Sequence, residues 1–251
     1  MTVPPDGWGL RRSTLVMLPA LLASSALAVG VAVASPASAS TRQAASSLPS
    51  GSSLVAAAKK AMLAARSVHF DLSSSGAGVE EHISADAGTA TGRQVLTSGD
   101  ARATVLLTKH DAYFGGDAAG LAKFFGMPTA DVKKVGAKWV DVTSGSAQYT
   151  SFAKNLVASS LPAAFLPTVK SVAVGRVTIS GRPDYRLTWV ATVSGKLFHE
   201  SLDLAGTGPA LPISQVGTSG KDEESTTFSR WGETVHVTAP RHTIAFSVLT
   251  G

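Results

Sequence analysis

Six histidines, His69, His82, His110, His199, His236 and His242, are the residues of this sequence best suited to proton transfer or metal ligation. Serine-type hydrolysis would place one of them beside a presented serine, and the G-x-S-x-G turn that does so is missing from the sequence. A zinc site needs closely spaced ligands; there is no H-E-x-x-H pair, and the 251 residues include no cysteine. The same lack of thiols removes disulfides and thiolate nucleophiles. His69, His82 and His236 fall at expected outward positions of strands, where an imidazole is simply solvated. His199-Glu200 and Asp222-Glu223-Glu224 read as exposed strand or turn charges. GTGP at 206–209 and GTSG at 217–220 read as turns, without the strand-to-helix setting of a phosphate loop. No enzyme, metal or cofactor is expected from these residues.

Charge gives equally little direction. The formal balance is +5, from 22 basic and 17 acidic residues. Lys59-Lys60 and Lys133-Lys134 with Lys138 are short clusters of the kind that solvate helix faces, so no nucleic acid partner is expected. Arg182 and Arg186 could meet an anionic head group, although an exposed strand arginine is the plainer reading.

What the sequence has in excess is apolar side chains at helical spacing. Leu54, Val55, Ala58, Met62 and Ala65 recur as one face of a helix that Ser52 or Ser53 could cap. Asp117 to Phe125 and Thr129 to Val135 read as short helices. Residues 148–167 place Tyr149, Phe152, Leu156 and Val157 on one stripe, until Pro162 and Pro167 interrupt the chain near Phe165-Leu166. Between these segments the period is two. Val68, Phe70 and Leu72 alternate with His69, Asp71 and Ser73, and weaker strands are expected at 78–86 and 90–97. Ala103, Val105 and Leu107 form a further strand, and a short one surrounds Lys138-Trp139-Val140. From Val169 strands are expected to persist to the end, clearest where Tyr185, Leu187, Trp189, Ala191 and Val193 alternate with polar neighbours. Connections this short imply antiparallel neighbours. The outcome is an α+β domain whose helices cover one face of an antiparallel sheet.

The N-terminus carries an address. Arg11-Arg12, an apolar run from Leu15 to Val33 and the triplet Ala37-Ser38-Ala39 follow in the order of a secretory signal cleaved before Ser40. Residues 1–39 are thus expected to be a signal peptide, 40–52 a flexible leader and 53–251 the folded domain. An uncleaved N-terminal helix is the alternative. The expected destination is the cell envelope or the exterior.

GRPDYRLTWV, GKLFHESLDLAGTGPALPISQV and TTFSRWGETVHVTAP together resemble the end of the LppX/LprG-type actinobacterial envelope lipoproteins, a branch of the LolA-like carriers. The closing element is Phe228, Ser229, Trp231, Gly232, Val235, Val237 and Pro240; SVHFDLSSSG and the Lys138-Trp139-Val140 strand fit the same pattern earlier. The resemblance spans most of residues 53–240. It implies a single strongly curved antiparallel sheet, a half barrel, with helices on its concave face and an apolar cavity for acyl chains between them. The candidate lining is Phe70, Leu72, Val105, Leu121, Phe124, Phe125, Met127, Phe152, Leu156, Leu161, Phe165, Leu187 and Trp189. The implied partner is a lipid or other hydrophobic small molecule held by a monomer. A protein-binding envelope or sensor module on the same half barrel is the alternative. Anchored members carry a Cys after the signal, whereas this chain has Ala39-Ser40, so a soluble product with no lipid anchor is expected.

Overall fold

The first helix begins two or three residues earlier than the sequence suggests. In the computed structural model, which describes residues 48–249 except Ala77, Lys170 and Ser194, the cap is Ser50 rather than Ser52 or Ser53. Its Oγ accepts from Ser53 N at 3.2 Å, and α1 (Gly51–Ala65) follows. The expected signal peptide and most of the leader lie outside the described residues. Among the described residues no helix is long and apolar enough to cross a membrane.

After α1 the chain runs through β1 (Val68–Gly76), β2 (Val79–Ala87), β3 (Gly92–Ser98), β4 (Ala101–Leu107) and β5 (Asp111–Gly116). Then come α2 (Ala118–Phe125), α3 (Thr129–Val135), β6 (Trp139–Thr143), α4 (Ala147–Leu156) and α5 (Leu161–Phe165). A second run of strands, β7 (Ala173–Ile179), β8 (Arg182–Val193), β9 (Lys196–Leu204), β10 (Pro212–Ser219) and β11 (Asp222–Ser229), precedes the short β12 (Thr243–Ala245). All join one open, curved 12-stranded sheet in the order β12-β6-β5-β4-β3-β2-β1-β11-β10-β9-β8-β7. It is therefore two meanders zipped together where β1 meets β11 antiparallel, with Phe70 opposite Phe228. Among the described strands only the β12–β6 pair is parallel.

Period-two burial decides which face the helices cover. Val68, Phe70, Leu72, Ile83, Ala85, Val105, Leu107, Leu187, Trp189, Leu202 and Phe228 are buried on one side, and the helices add Leu54, Met62, Leu121, Phe124, Phe152, Leu156, Leu161 and Phe165 to the same core. This is the concave side.

Two strand expectations need correction. β5, not anticipated, arises because Ala112 and Phe114 are followed by Gly115 and Gly116, and glycines in this position masked the alternation. At Gly115 a Cβ would press to 3.2 Å on the Trp139 ring, and at Gly116 to 2.4 Å on the Arg102 carbonyl, so close neighbours account for both glycines. Conversely, residues 230–242, expected as strand, form none. They run as a strap past the strand ends from the middle of the sheet to its edge. Gly232 N donates to the Ser67 carbonyl, Thr91 Oγ1 to the Val235 carbonyl and Trp139 N to the His242 carbonyl. Backbone groups are thus paired without a ladder, and His236 stands on this strap rather than on a strand.

A candidate ligand site on the concave face

The helices are fixed by caps and by glycine contacts. Asp117 caps α2 twice over: Oδ1 accepts from Gly120 N at 2.6 Å and Oδ2 from Arg102 N at 3.0 Å, tying the helix start to β4. A Cβ on Gly120 would stand 2.0 Å from the Arg102 carbonyl, so only glycine lets α2 lie this close. Leu121 and Phe124 are thereby buried, and Met127 follows them into the core. Ser146 caps α4 through Tyr149 N at 3.1 Å. At its far end Ala158 N donates to the Gly88 carbonyl at 2.8 Å, and Gly92 leaves room for the Leu156 backbone.

Two groups of rings result. Phe165 of α5 stands edge-on to Phe228 and Phe70, at centroid distances of 4.8 and 5.5 Å, and Trp231 stacks beside Phe228 at 6.0 Å. The indole N–H of Trp231 donates to the Pro212 carbonyl, which holds the strap against β10. In the second group Phe125 and Phe152 meet Phe114 at 4.3 and 5.9 Å. Leu161 is buried with α5, and Val105 lies on β4 opposite Phe114. Leu72, Leu187 and Trp189 are buried farther along the sheet, the last two on β8. The sequence-chosen residues therefore share one face and, Phe125 excepted, are all buried; Phe125 is packed against the same core.

At one end this face stops being apolar. Trp189 lies opposite Glu200, Glu200 opposite Gly217, Gly217 opposite Glu224, and Glu224 opposite Ser74. Glu200 shares the parity of Leu202 and Leu204 and is 8% exposed; Glu224 shares that of Thr226 and Phe228. The expectation that both were outward-facing charges is therefore wrong: the strand register turns them inward with the core residues two positions on. Gln215 Nε2 donates to Glu200 Oε2 at 3.1 Å, while Gln215 Oε1 is buried without a partner. Burial raises the Glu200 carboxyl above the usual range. Burial, and then the charge of Glu200, push Glu224 up to about 7. The alternation rule was enough to find both residues, had Leu202 been extended back two positions and Phe228 four.

The opposite face carries different chemistry. His69 is held between carboxylates, Nδ1 to Asp86 at 2.8 Å and Nε2 to Asp71 at 3.0 Å, and Arg230 Nη2 donates to Asp86 at 3.0 Å. Both ring nitrogens are occupied by carboxylates, so His69 has no position left for activating a hydroxyl. Ser73 Oγ lies 3.1 Å from His82 Nδ1, but His82 Nε2 is 3.9 Å from Asp71, outside hydrogen-bond range, on an exposed surface. Arg186 also faces outward and forms a two-point pair with Asp203, at 2.7 and 2.8 Å. The reading of His69, His82 and Arg186 as outward residues holds. Among the described residues no group of three or more His, Asp or Glu side chains is arranged to hold a metal.

No protein-family model matches the chain, and a comparison with curated proteins found no match. Solved structures do match the chain. LprF from Mycobacterium bovis is 15% identical, with 76% of this chain and 96% of that chain covered and a TM-score of 0.48. The lipoprotein LppX of Mycobacterium tuberculosis is 16% identical, with 75% and 100% covered and a TM-score of 0.47. MucB in complex with MucA(peri) is more distant, at 15% identity, 71% and 54% coverage and a TM-score of 0.30.

Proposed function

We propose that this chain is an exported binding protein that holds the alkyl part of a lipid or other hydrophobic molecule between the concave face and its helices. The observation that carries the reading is the extent of that face: buried rings and aliphatic side chains from α2, α4, α5 and both meanders, with Gln94 and Thr226 buried among them, lead to a polar row at one end. An amphiphile has the same division. Admitting a chain requires α4 and α5 to part from the sheet. Ring–ring contacts such as Phe165–Phe228 are then exchanged for ring–alkyl contacts, which preserves apolar burial. Leu156, the last residue of α4, and Leu161 and Phe165, at the two ends of the five-residue α5, are the side chains that such a movement displaces first.

Each methylene taken out of water contributes about 0.8 kcal/mol, a factor of about four in affinity. A series of fatty alcohols of increasing length, competed against a fluorescent fatty acid, is expected to tighten by about that factor per carbon before levelling off. Affinity independent of chain length would overturn the reading. A protein-binding role has one observation of its own, the exposed Val190 and Leu197 on the outer face of the β8–β9 hairpin. It gains weight only if the alcohol series shows no trend.

A further inference from the structure

We propose that Trp189, Glu200, Gln215 and Glu224 form a subsite for an organic ammonium group, so that the ligand is a long-chain amine or another cationic amphiphile. This rests on the binding role above and names the head group that goes with it.

The pattern of charge along the open end of the concave face supports the assignment. Asp222, next along β11, is paired with Lys196 at 2.6 Å, and Glu81 on β2 with Lys123 of α2 at 3.5 Å. Glu200 and Glu224 lie between these pairs, and among the described residues neither has a cation within ion-pair distance. Two inward carboxylates without a counter-ion are costly to keep charged. A cation brought by the ligand would supply what the fold leaves out.

Geometry adds three points. Glu200 and Glu224 are two strands apart, with Gly217 between them. The Glu200 carboxylate lies over that glycine: a Cβ there would come within 2.8 and 2.9 Å of its two oxygens. Glycine at this position thus lets the Glu200 carboxylate lie across the strand that separates the two acids. Second, the buried Oε1 of Gln215 lacks a donor, although its Nε2 is already bonded to Glu200. An alkylammonium has three N–H donors, and the subsite offers three acceptor groups: two carboxylates and this carbonyl. Third, Trp189 is the direct cross-strand neighbour of Glu200, and an indole face is the preferred aromatic partner of an ammonium. Leu187 and Leu202, one position inward on the same strands, begin the apolar floor along which the alkyl chain would continue.

The subsite is also expected to respond to pH. The charged groups on the inward side of the surrounding strands are Glu200, Glu224, the Asp222–Lys196 pair and the Glu81–Lys123 pair; His69, His82 and His199 alternate to the other face. An ammonium binds best when Glu224 is ionised. Protonation near pH 7 therefore competes with the amine, and the amine's advantage shrinks on acidification.

The test compares dodecylamine, dodecanol and dodecanoate at pH 8 by isothermal calorimetry, using the full chain and its E200Q/E224Q variant. Dodecylamine is expected to bind about tenfold or more tighter than dodecanol, with dodecanoate weakest. The double variant should lose that preference and retain its affinity for dodecanol, which also shows that it is folded. Equal binding of amine and alcohol by the unaltered chain would overturn the subsite and leave the hydrophobic role standing. Failure of all three ligands to bind would overturn both.

Discussion

Replacing Glu224 by Gln should make the protein more stable at alkaline pH and leave it unchanged in acid. The side chain faces inward on β11, across Gly217 from Glu200, and burial together with that second charge lifts its pKa from 4.5 to about 7. A raised carboxyl binds its proton more tightly in the folded chain than in the unfolded one. Its contribution is then fully present below the unfolded value of 4.5 and is lost as pH rises to about 7. The gap, at about 1.4 kcal/mol per unit, amounts to about 3 kcal/mol, and solvent reaching the partly exposed carboxylate reduces this to about 1–3 kcal/mol. Glutamine has the same shape and no charge to desolvate. Urea unfolding of the two proteins below pH 4 and at pH 8 measures the effect. The variant should be more stable by that amount at pH 8 and equal below pH 4. Because the comparison is a difference between two proteins, titrating groups that do not interact with Glu224 cancel. Equal stability at pH 8, or a less stable variant, would refute the claim that Glu224 is held charged at a cost.

Other substitutions test how the face is assembled. Phe165→Ala removes the ring wedged against Phe228 and Phe70 and should cost about 3–5 kcal/mol in urea unfolding. Asp117→Ala takes the cap from Gly120 N and the link to Arg102 N; a loss of about 1–2 kcal/mol in the same assay is expected, against no change if α2 is held by its apolar face alone. Gly120→Ala forces a methyl against the Arg102 carbonyl and should lower stability by at least about 2 kcal/mol, with weaker alkyl-chain binding as α2 shifts; an unchanged melting temperature would contradict the close approach.

Much of this architecture was legible because periodicity reports burial. Phe70, Leu72, Leu187 and Trp189 could be assigned to one face from alternation, and Phe152 and Leu156 to one helical stripe, since apolar side chains must leave water whatever their partners. The strap at residues 230–242 was not legible. Val235 and Val237 alternate like a strand, yet β1 and β10 already occupy both sides of β11, and no free edge was available where the chain emerged. Sheet order is a long-range property that local spacing does not encode. The inward acids were overlooked for a different reason. Glutamate at a strand end is ordinarily solvated, and that expectation outweighed an alternation which, like the register with Trp189, Gly217 and Ser74, points Glu200 and Glu224 into the concavity. Gly217 looked like part of a turn in GTSG, whereas it is a ladder residue that makes room for a carboxylate.

The hydrophobic-ligand role is tested most directly by native mass spectrometry of the chain exported and purified from a bacterial host, followed by solvent extraction and mass analysis of what is released. A single stoichiometric adduct that extracts as an alkyl-chain molecule is the predicted result. A protein mass with no adduct, persisting after incubation with long-chain amines and alcohols, would contradict it.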